Sequence, residues 1–170
     1  MAVGNLEFIK SASGTSVASL DVTDCFSADY DVYYVTIAKL DAANTAYTYG
    51  RIINSSGVDT GANYDYAYLQ MTSASAFTEG RSASTTTMTG FSYQSTGTAD
   101  GVGNSFYVFN PYDSSSYTFF TSQSAGFWSG VGLYGFKSIF VHKVAEQITG
   151  LHFNRTGNFD NITVNVYGVK

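Results

Sequence analysis

The stretch Ile162-Thr163-Val164-Asn165-Val166-Tyr167 alternates apolar and polar side chains near the carboxyl end of the chain. Successive side chains of a β-strand point to opposite faces, so this alternation places Ile162, Val164 and Val166 together on one face. The polar residues between them, together with Tyr167, lie on the other face. The stretch therefore predicts a half-buried strand whose apolar face packs on a core.

The same period of two recurs along the chain and predicts further strands. It is strongest within Asp31–Leu40, where every second residue from Tyr33 to Ile37 is large and apolar. No segment combines a 3.6-residue period with good helix formers, so no helix is expected. The other candidate strands are Leu6–Phe8, Ala18–Val22, Tyr47–Ile53, Tyr64–Leu69, Thr87–Tyr93, Ser138–Val144 and Ile148–Phe153.

A hairpin is predicted where Ser105–Phe109 and Tyr117–Thr121 flank Asn110–Ser116, because Pro111 and Asp113 favour a turn. In all, about eight to ten short strands are separated by Gly, Ser, Asn and Asp. This arrangement predicts an all-β fold, either an antiparallel β-sandwich or a barrel. Neither an internal repeat nor a linker divides residues 1–170, so we expect a single domain.

Composition excludes several classes of partner. The chain has a net charge of −5, and its eight Lys and Arg residues are scattered, so neither nucleic acid nor an anionic membrane surface is an expected partner. No stretch reaches the ~18–20 apolar residues of a membrane span. Glu7 and Lys10 interrupt the first apolar run, so no secretory signal is expected, and a single cysteine fits a protein made in a reducing cytoplasm.

Residues suited to catalysis are few. His142 and His152 are the two histidines, and each is expected on the face opposite the apolar one, as a solvated or interface residue. Cys25 is the single cysteine and is expected to be a small buried hydrophobe. The motifs of common hydrolases and nucleotide-binding sites are missing from the sequence. We therefore expect no enzymatic activity, although two acids meeting in space, as in a polysaccharide depolymerase, remain an alternative.

Four aspartates lie close together in the sequence, at Asp21, Asp24, Asp29 and Asp31. Oxygen-rich loops of this kind can bind calcium, but the EF-hand pattern is not present here. Positions in turns and at strand edges are the favoured explanation for these aspartates. No metal ion and no cofactor are therefore predicted.

The aromatic content is the most informative feature of the composition. The chain has 14 Tyr and 13 Phe, more than one small core hides comfortably. Surfaces rich in Tyr, Ser, Gly and Asn are typical of binding sites that adapt to a partner. The excess predicts self-association or docking on a large partner, and the alternative explanation is that tyrosines suit β-strands.

Four segments taken together resemble a known family. They are Tyr30–Ile37, Asn63–Ala67, Phe106–Phe119 and Gly150–Gly168. Their order is similar to that in small structural proteins and domains of tailed bacteriophages of aquatic bacteria, including cyanophage-like viruses. The resemblance implies a jelly-roll-like β-sandwich on the outer surface of the virion.

From this resemblance we expect a non-enzymatic capsid decoration, or cement, protein. It would bind the major capsid protein or another virion protein and form a homo-oligomer, as a dimer or trimer. A domain that starts near Met1 without a coiled coil favours the head over the tail. Two segments are expected to reach the shell, namely Met1–Lys10 with Leu6 and Phe8, and the Ser/Thr/Gly-rich region Thr72–Gly103, predicted as long loops around one strand.

The alternative is the receptor-binding tip of a tail or head fibre that recognises a host-surface carbohydrate. Tyr112, Tyr117 and Trp128 would then form a platform for a sugar. Packing of Trp128 in the core is a competing explanation for that residue. These three residues, with Leu6 and Phe8, complete the predicted interface.

Overall fold

A computed structural model describes residues 5–42, 44–94, 101–128 and 130–170, with the backbone alone at positions 39 and 94. This part of the chain contains eleven strands and no helix, so the all-β prediction is confirmed, with one strand more than the expected eight to ten. Nothing helical in these ranges has the length and apolar character needed to cross a membrane. The strands are β1 (Leu6–Val22), β2 (Val32–Ala42), β3 (Ala46–Asn54), β4 (Gly57–Val58), β5 (Tyr64–Thr72), β6 (Thr78–Thr85), β7 (Met88–Gln94), β8 (Val102–Phe109), β9 (Thr118–Trp128), β10 (Gly132–His142) and β11 (Gly150–Val169).

All strand pairs are antiparallel, and the principal path of the sheet runs β4-β3-β11-β2-β8-β9-β10-β5-β6. β1 pairs with β11 along nearly its whole length, and β7 pairs with β3. The first part of β11 pairs with β3 and the second part with β2. Between the two parts, Gly157 has a φ of 89°, a conformation that glycine adopts without strain. β11 therefore carries the chain from one layer of the fold to the other.

The sheet curls into two layers with the core between them. β7 lies across the inner face of the large layer formed by β2, β8, β9, β10 and β5, and Tyr47 of β3 packs beside it on Tyr68 and Phe136. Phe91 of β7 stacks on Phe140 with ring centroids 4.4 Å apart and meets Phe106 edge-on at 5.1 Å. Ser138 Oγ donates a hydrogen bond to the Gly90 carbonyl at 2.6 Å, joining the layers. One cluster of buried apolar residues fills the space between the layers.

The hairpin and the central strands follow the sequence pattern. β8 and β9 pair antiparallel, with Phe109 opposite Phe119, across the turn that contains Pro111 and Asp113. The Asp113 side chain accepts a hydrogen bond from the Ser115 N–H at 2.8 Å, which closes this turn. The alternate residues of β2 from Tyr33 to Ile37 are fully buried, as predicted.

Two expectations about strand boundaries are wrong. The region Thr72–Gly103 contains two complete strands, β6 and β7, rather than one strand between long loops; residues 95–100 lie outside the described part. β6 is held by its ladder with β5 while most of its side chains are exposed, so it has little apolar alternation to detect. One strand, β11, replaces the two strands expected at Ile148–Phe153 and in the final stretch. β11 begins at Gly150, so Ile148 and Thr149 precede it.

Candidate functional site

The outer face of the large layer exposes large apolar side chains. β9 and β10 place apolar residues on both of their faces, but β7 and β3 cover only the inner one. Phe119 is 47% exposed and Ile139 is 59% exposed on the outer face. An exposed apolar area that spans several strands is typical of a binding surface.

The register of the sheet aligns aromatic side chains across this face. Phe8 lies opposite Tyr167, Tyr167 opposite Tyr34, and Tyr34 opposite Tyr107. Their ring centroids are 5.7, 6.3 and 5.1 Å apart in the same order. Phe109 lies two residues further along β8, with its ring 6.2 Å from that of Tyr107. We call these five residues together with Phe119 the aromatic patch.

Beyond Tyr107, towards the β6 edge, the outer face becomes a groove of about 550 Å³. Ala67 and Thr121 are small enough to leave a depression between Tyr107 and Arg81. We call this site the charged groove; its functional side chains are Tyr107, Gln123, Lys137, Leu69, Glu79 and Arg81. A second, apolar depression of about 430 Å³ adjoins it beside Phe119.

A separate cluster of titratable residues surrounds the buried His142. Its Nε2 lies 2.7 Å from Asp59 Oδ2 and 3.6 Å from Glu146 Oε1. Burial raises the pKa of Asp59, but hydrogen bonds from Asn63, His142 and the Gly61 N–H outweigh it and hold that pKa below its usual value. The cluster ties the connection before β5 to the one after β10.

The geometry of this cluster fits a hydrogen bond between His142 and Asp59 better than a metal ion. Two zinc ligands about 2 Å from the metal in a tetrahedral site keep roughly 3.3 Å apart, whereas Nε2 and Oδ2 are at hydrogen-bond distance. A metal-binding histidine also donates its other N–H to an acceptor. Nδ1 of His142 is buried without a partner in the described part of the chain. We therefore assign the proton to Nε2, donated to Asp59.

The expectation that His142 is solvated is wrong. β10 turns Phe140 and His142 inward and leaves Ile139 and Val141 on the outer face. Both faces of this strand carry apolar residues, so the alternation did not indicate which face would be covered. His152 is half-buried, and its Nδ1 lies 2.6 Å from Asp21 Oδ1.

Cys25 is buried, as predicted, and its Sγ lies 3.4 Å from the Val22 carbonyl oxygen. Burial raises the pKa of the Cys25 thiol to about 12, so the reactive thiolate is suppressed. The four aspartates of the β1–β2 region do not converge on one point. Asp21 is engaged by His152, and Asp29 accepts a hydrogen bond from Ser27 at 2.9 Å.

The predicted interface residues do not form one surface. Leu6 and Phe8 are exposed on β1, and Tyr117 is exposed just before β9. Trp128 ends β9, so its backbone lies roughly 35 Å from Tyr117 along an 11-residue strand. Tyr112 and Trp128 are partly buried against the core, and the Trp128 ring lies 5.7 Å from that of Tyr93. A sugar platform made of Tyr112, Tyr117 and Trp128 is therefore not assembled. The first four residues of the segment Met1–Lys10 lie outside the described part.

Sequence reasoning missed the residues that the fold does bring together. Tyr34 and Tyr167 were visible as the outward residues of predicted strands, but their alignment depends on the register between β2 and β11. Arg81 and Lys137 gave no signal, because isolated cations in polar segments are typical of any surface. Their convergence depends on the order β10-β5-β6.

Comparisons with known proteins leave the family open. No protein-family model matches the chain, and no curated protein matches it. Among solved structures, the chain is similar to the structure described as the CBM2 module of Lactobacillus casei BL23 phage J-1 evolved Dit. That alignment covers 99% of this chain and 81% of the other, with 10% sequence identity and a TM-score of 0.18. A similarity of this size carries no conclusion about fold or function.

Proposed function

We propose that this protein is a non-enzymatic binding protein of the outer surface of a tailed-phage particle. In this proposal it is a capsid decoration protein that docks on the major capsid protein through the aromatic patch. It assembles in the host cytoplasm and acts as a dimer or trimer. The observation that carries the proposal is the aromatic patch, which no described part of the chain covers. The resemblance of four segments to phage structural proteins supports the choice of partner.

The chemistry of the patch suits docking on protein. Its six residues are Tyr and Phe, which bury roughly 150–250 Å² each when fully covered and which dominate interface energetics. The phenol hydroxyls of Tyr34, Tyr107 and Tyr167 add hydrogen-bonding capacity at a low cost in side-chain entropy. No charged side chain belongs to the patch, so covering it desolvates little charge.

Stabilisation of a shell by such a protein follows from mass action. A protein that binds only the assembled shell stabilises that state by its binding free energy. Many copies act at once, so a modest affinity at each site is sufficient. No catalytic step is required, and both histidines are already engaged by carboxylates.

The test uses purified virions and shells that lack this protein. Quantitative mass spectrometry should give about one copy per capsid subunit, or one per small group of subunits. A ratio of a few per cent would instead favour the fibre alternative, and absence from particles would end both virion proposals.

A second measurement tests the patch itself. The double variant Phe8→Ser/Phe119→Ser should lower occupancy on shells at least tenfold, since each residue contributes on the order of 1 kcal/mol or more if it is a central contact. Phe77→Ser is the matched control, because Phe77 is 61% exposed outside the patch. Equal binding of the two proteins would contradict docking through the patch.

The fibre tip that recognises host carbohydrate remains the second candidate. The charged groove favours it, because a depression with apolar walls and a few polar groups is the usual form of a small-ligand site.

A further inference from the structure

The described Lys and Arg side chains fall into two groups, those with a polar partner in the protein and those without one. Seven of the eight Lys and Arg side chains are described, and five of these have a polar partner. The two that have no hydrogen bond or ion pair with any described residue are Arg81 and Lys137. The partners of the other five are Thr23 for Lys10, Thr86 and Asn154 for Arg51, Asp65 for Lys143, Asn44 and Asn158 for Arg155, and Glu7 for Lys170.

Both free cations line the charged groove. Lys137 lies opposite Leu69, and Arg81 lies opposite Ala67, on strands two positions apart in the sheet. Their backbones are therefore about 12 Å apart, since they are separated by two strand spacings across the sheet and by two residues along the strands. Side chains of this length can reach one anionic group, or two neighbouring groups, held over Ile139 and Ala67. Among the described side chains of this protein of net charge −5, the unpaired cations therefore lie together in one depression.

The remaining groups of the groove are suited to hydroxyls. Gln123 lies opposite Lys137 and is exposed, so its amide can donate and accept hydrogen bonds. Glu79 lines the same wall two residues before Arg81 and offers acceptor oxygens. Tyr107 is 42% exposed and presents a ring at the opposite wall, where the apolar face of a sugar ring can pack.

We infer that the charged groove binds an acidic oligosaccharide. Arg81 and Lys137 pair with its anionic groups, Gln123 and Glu79 bond its hydroxyls, and Tyr107 packs against a ring. With one acid among two cations, the groove has a net charge of only +1, too little for a phosphodiester chain, whose binding depends on many cations. The volume of about 550 Å³ lies within the ~300–1,000 Å³ usual for ligand sites.

This inference deepens the second candidate function and does not depend on docking to a shell. Apart from Tyr107, the groove and the aromatic patch have no residue in common. Loss of shell binding in Phe8→Ser/Phe119→Ser would leave sugar binding unchanged. The two proposals can therefore fail separately.

The test measures binding of the purified protein to uronic-acid, sialylated and sulfated oligosaccharides, with neutral oligosaccharides of the same length as references. We expect binding to at least one acidic class, weaker binding at higher salt because charge pairs at the surface are screened, and no measurable binding to the neutral set. A single-stranded oligonucleotide is included as a competing polyanion.

Variants connect the binding to the groove. Arg81→Gln and Lys137→Gln should each weaken binding about tenfold or more, since each removes a hydrogen bond to a charged group. Tyr107→Ala should also weaken it. Lys170→Gln is the matched control, because it removes the same charge at an exposed site outside the groove. No binding to any acidic sugar, equal binding of neutral sugars or the oligonucleotide, or unchanged affinity in the groove variants would overturn the inference.

Discussion

The two faces of β9 and β10 carry similar apolar side chains, but only the inner face is buried. Phe120 and Phe140 are 1% and 3% exposed on the inner face, while Phe119 and Ile139 remain about half exposed on the outer face. Phe119 precedes Phe120 directly in the sequence, as Ile139 precedes Phe140. The difference is that β7 and β3 cover one face and no described element covers the other. Apolar residues on both faces of an antiparallel strand therefore mark two surfaces, one for the fold and one for a partner.

Polar groups show the same contrast between the two faces. On the inner face, Asn104 donates hydrogen bonds to the Phe91 carbonyl and to Ser122, so its buried amide hydrogens are satisfied across and within the layers. On the outer face, the charged ends of Arg81 and Lys137 have no protein partner among the described residues. Satisfied polar groups stabilise a fold, whereas free ones are available to a ligand.

The largest expected effect is a truncation on the covered face. Phe140→Ala should lower the free energy of unfolding by about 3–5 kcal/mol, because it leaves a cavity beside Phe91. Ile139→Ala, one residue earlier on the outer face, should change it by no more than about 0.5 kcal/mol. Chemical denaturation of both variants measures the difference. Similar losses would mean that the outer face is also covered in the folded protein.

A second comparison uses one glycine that is packed between the layers and one that faces outward. A Cβ at Gly50 would clash with the ring of Phe91 between the layers, so Gly50→Ala should cost about 1–3 kcal/mol through overpacking. A Cβ at Gly103, on the outer face of β8, would meet no atom of the described residues within 4 Å. Gly103→Ala should be neutral or stabilising by up to about 1 kcal/mol, since it restricts the unfolded chain. Thermal denaturation of both variants tests the pair, and a destabilised Gly103→Ala would contradict it.

The substitution Asp59→Asn should lower the free energy of unfolding by about 1–3 kcal/mol at pH 7. The Asp59 carboxylate accepts hydrogen bonds from Gly61, Asn63 and His142. In the Asn variant the amide NH₂ would face at least one of these donors, so that hydrogen bond would be lost. The pKa of Asp59 is lowered in the folded state, so its contribution is complete above its ordinary value of 3.8 and is lost as the pH falls through the folded value.

Urea denaturation as a function of pH measures this effect. The difference in unfolding free energy between wild type and Asp59→Asn should be constant near neutral pH and shrink below about pH 4. A difference that grows on acidification would mean that Asp59 is not held ionised by its partners.

The smallest expected effect on stability belongs to the aromatic patch. Phe119→Ser should change the free energy of unfolding by about 0.5 kcal/mol or less, because half of the ring is already in water. The same substitution should weaken binding to the partner, which separates function from fold on this face. A large loss of stability, seen by calorimetry, would show that Phe119 belongs to the core.

Local pattern predicted much of the fold and little of the site. The burial of β2, the β8–β9 hairpin and the burial of Cys25 were predictable, since each depends on alternation, turn chemistry or residue type within a few positions. β6 escaped detection because a ladder of backbone hydrogen bonds with β5, rather than apolar side chains, makes it a strand. His142 was placed on the wrong face because β10 is apolar on both faces.

Residue pattern and composition are enough to predict a set of antiparallel strands with more aromatic side chains than a core of this size needs. The tertiary structure decided where that excess lies. Phe8 and Tyr167 are 159 positions apart in the chain yet pair across β1 and β11, and Arg81 and Lys137 line one groove only because β5 lies between β6 and β10. Register and strand order depend on the packing of the whole sheet, which no local pattern contains. For that physical reason, the aromatic patch and the charged groove exist only in the folded protein.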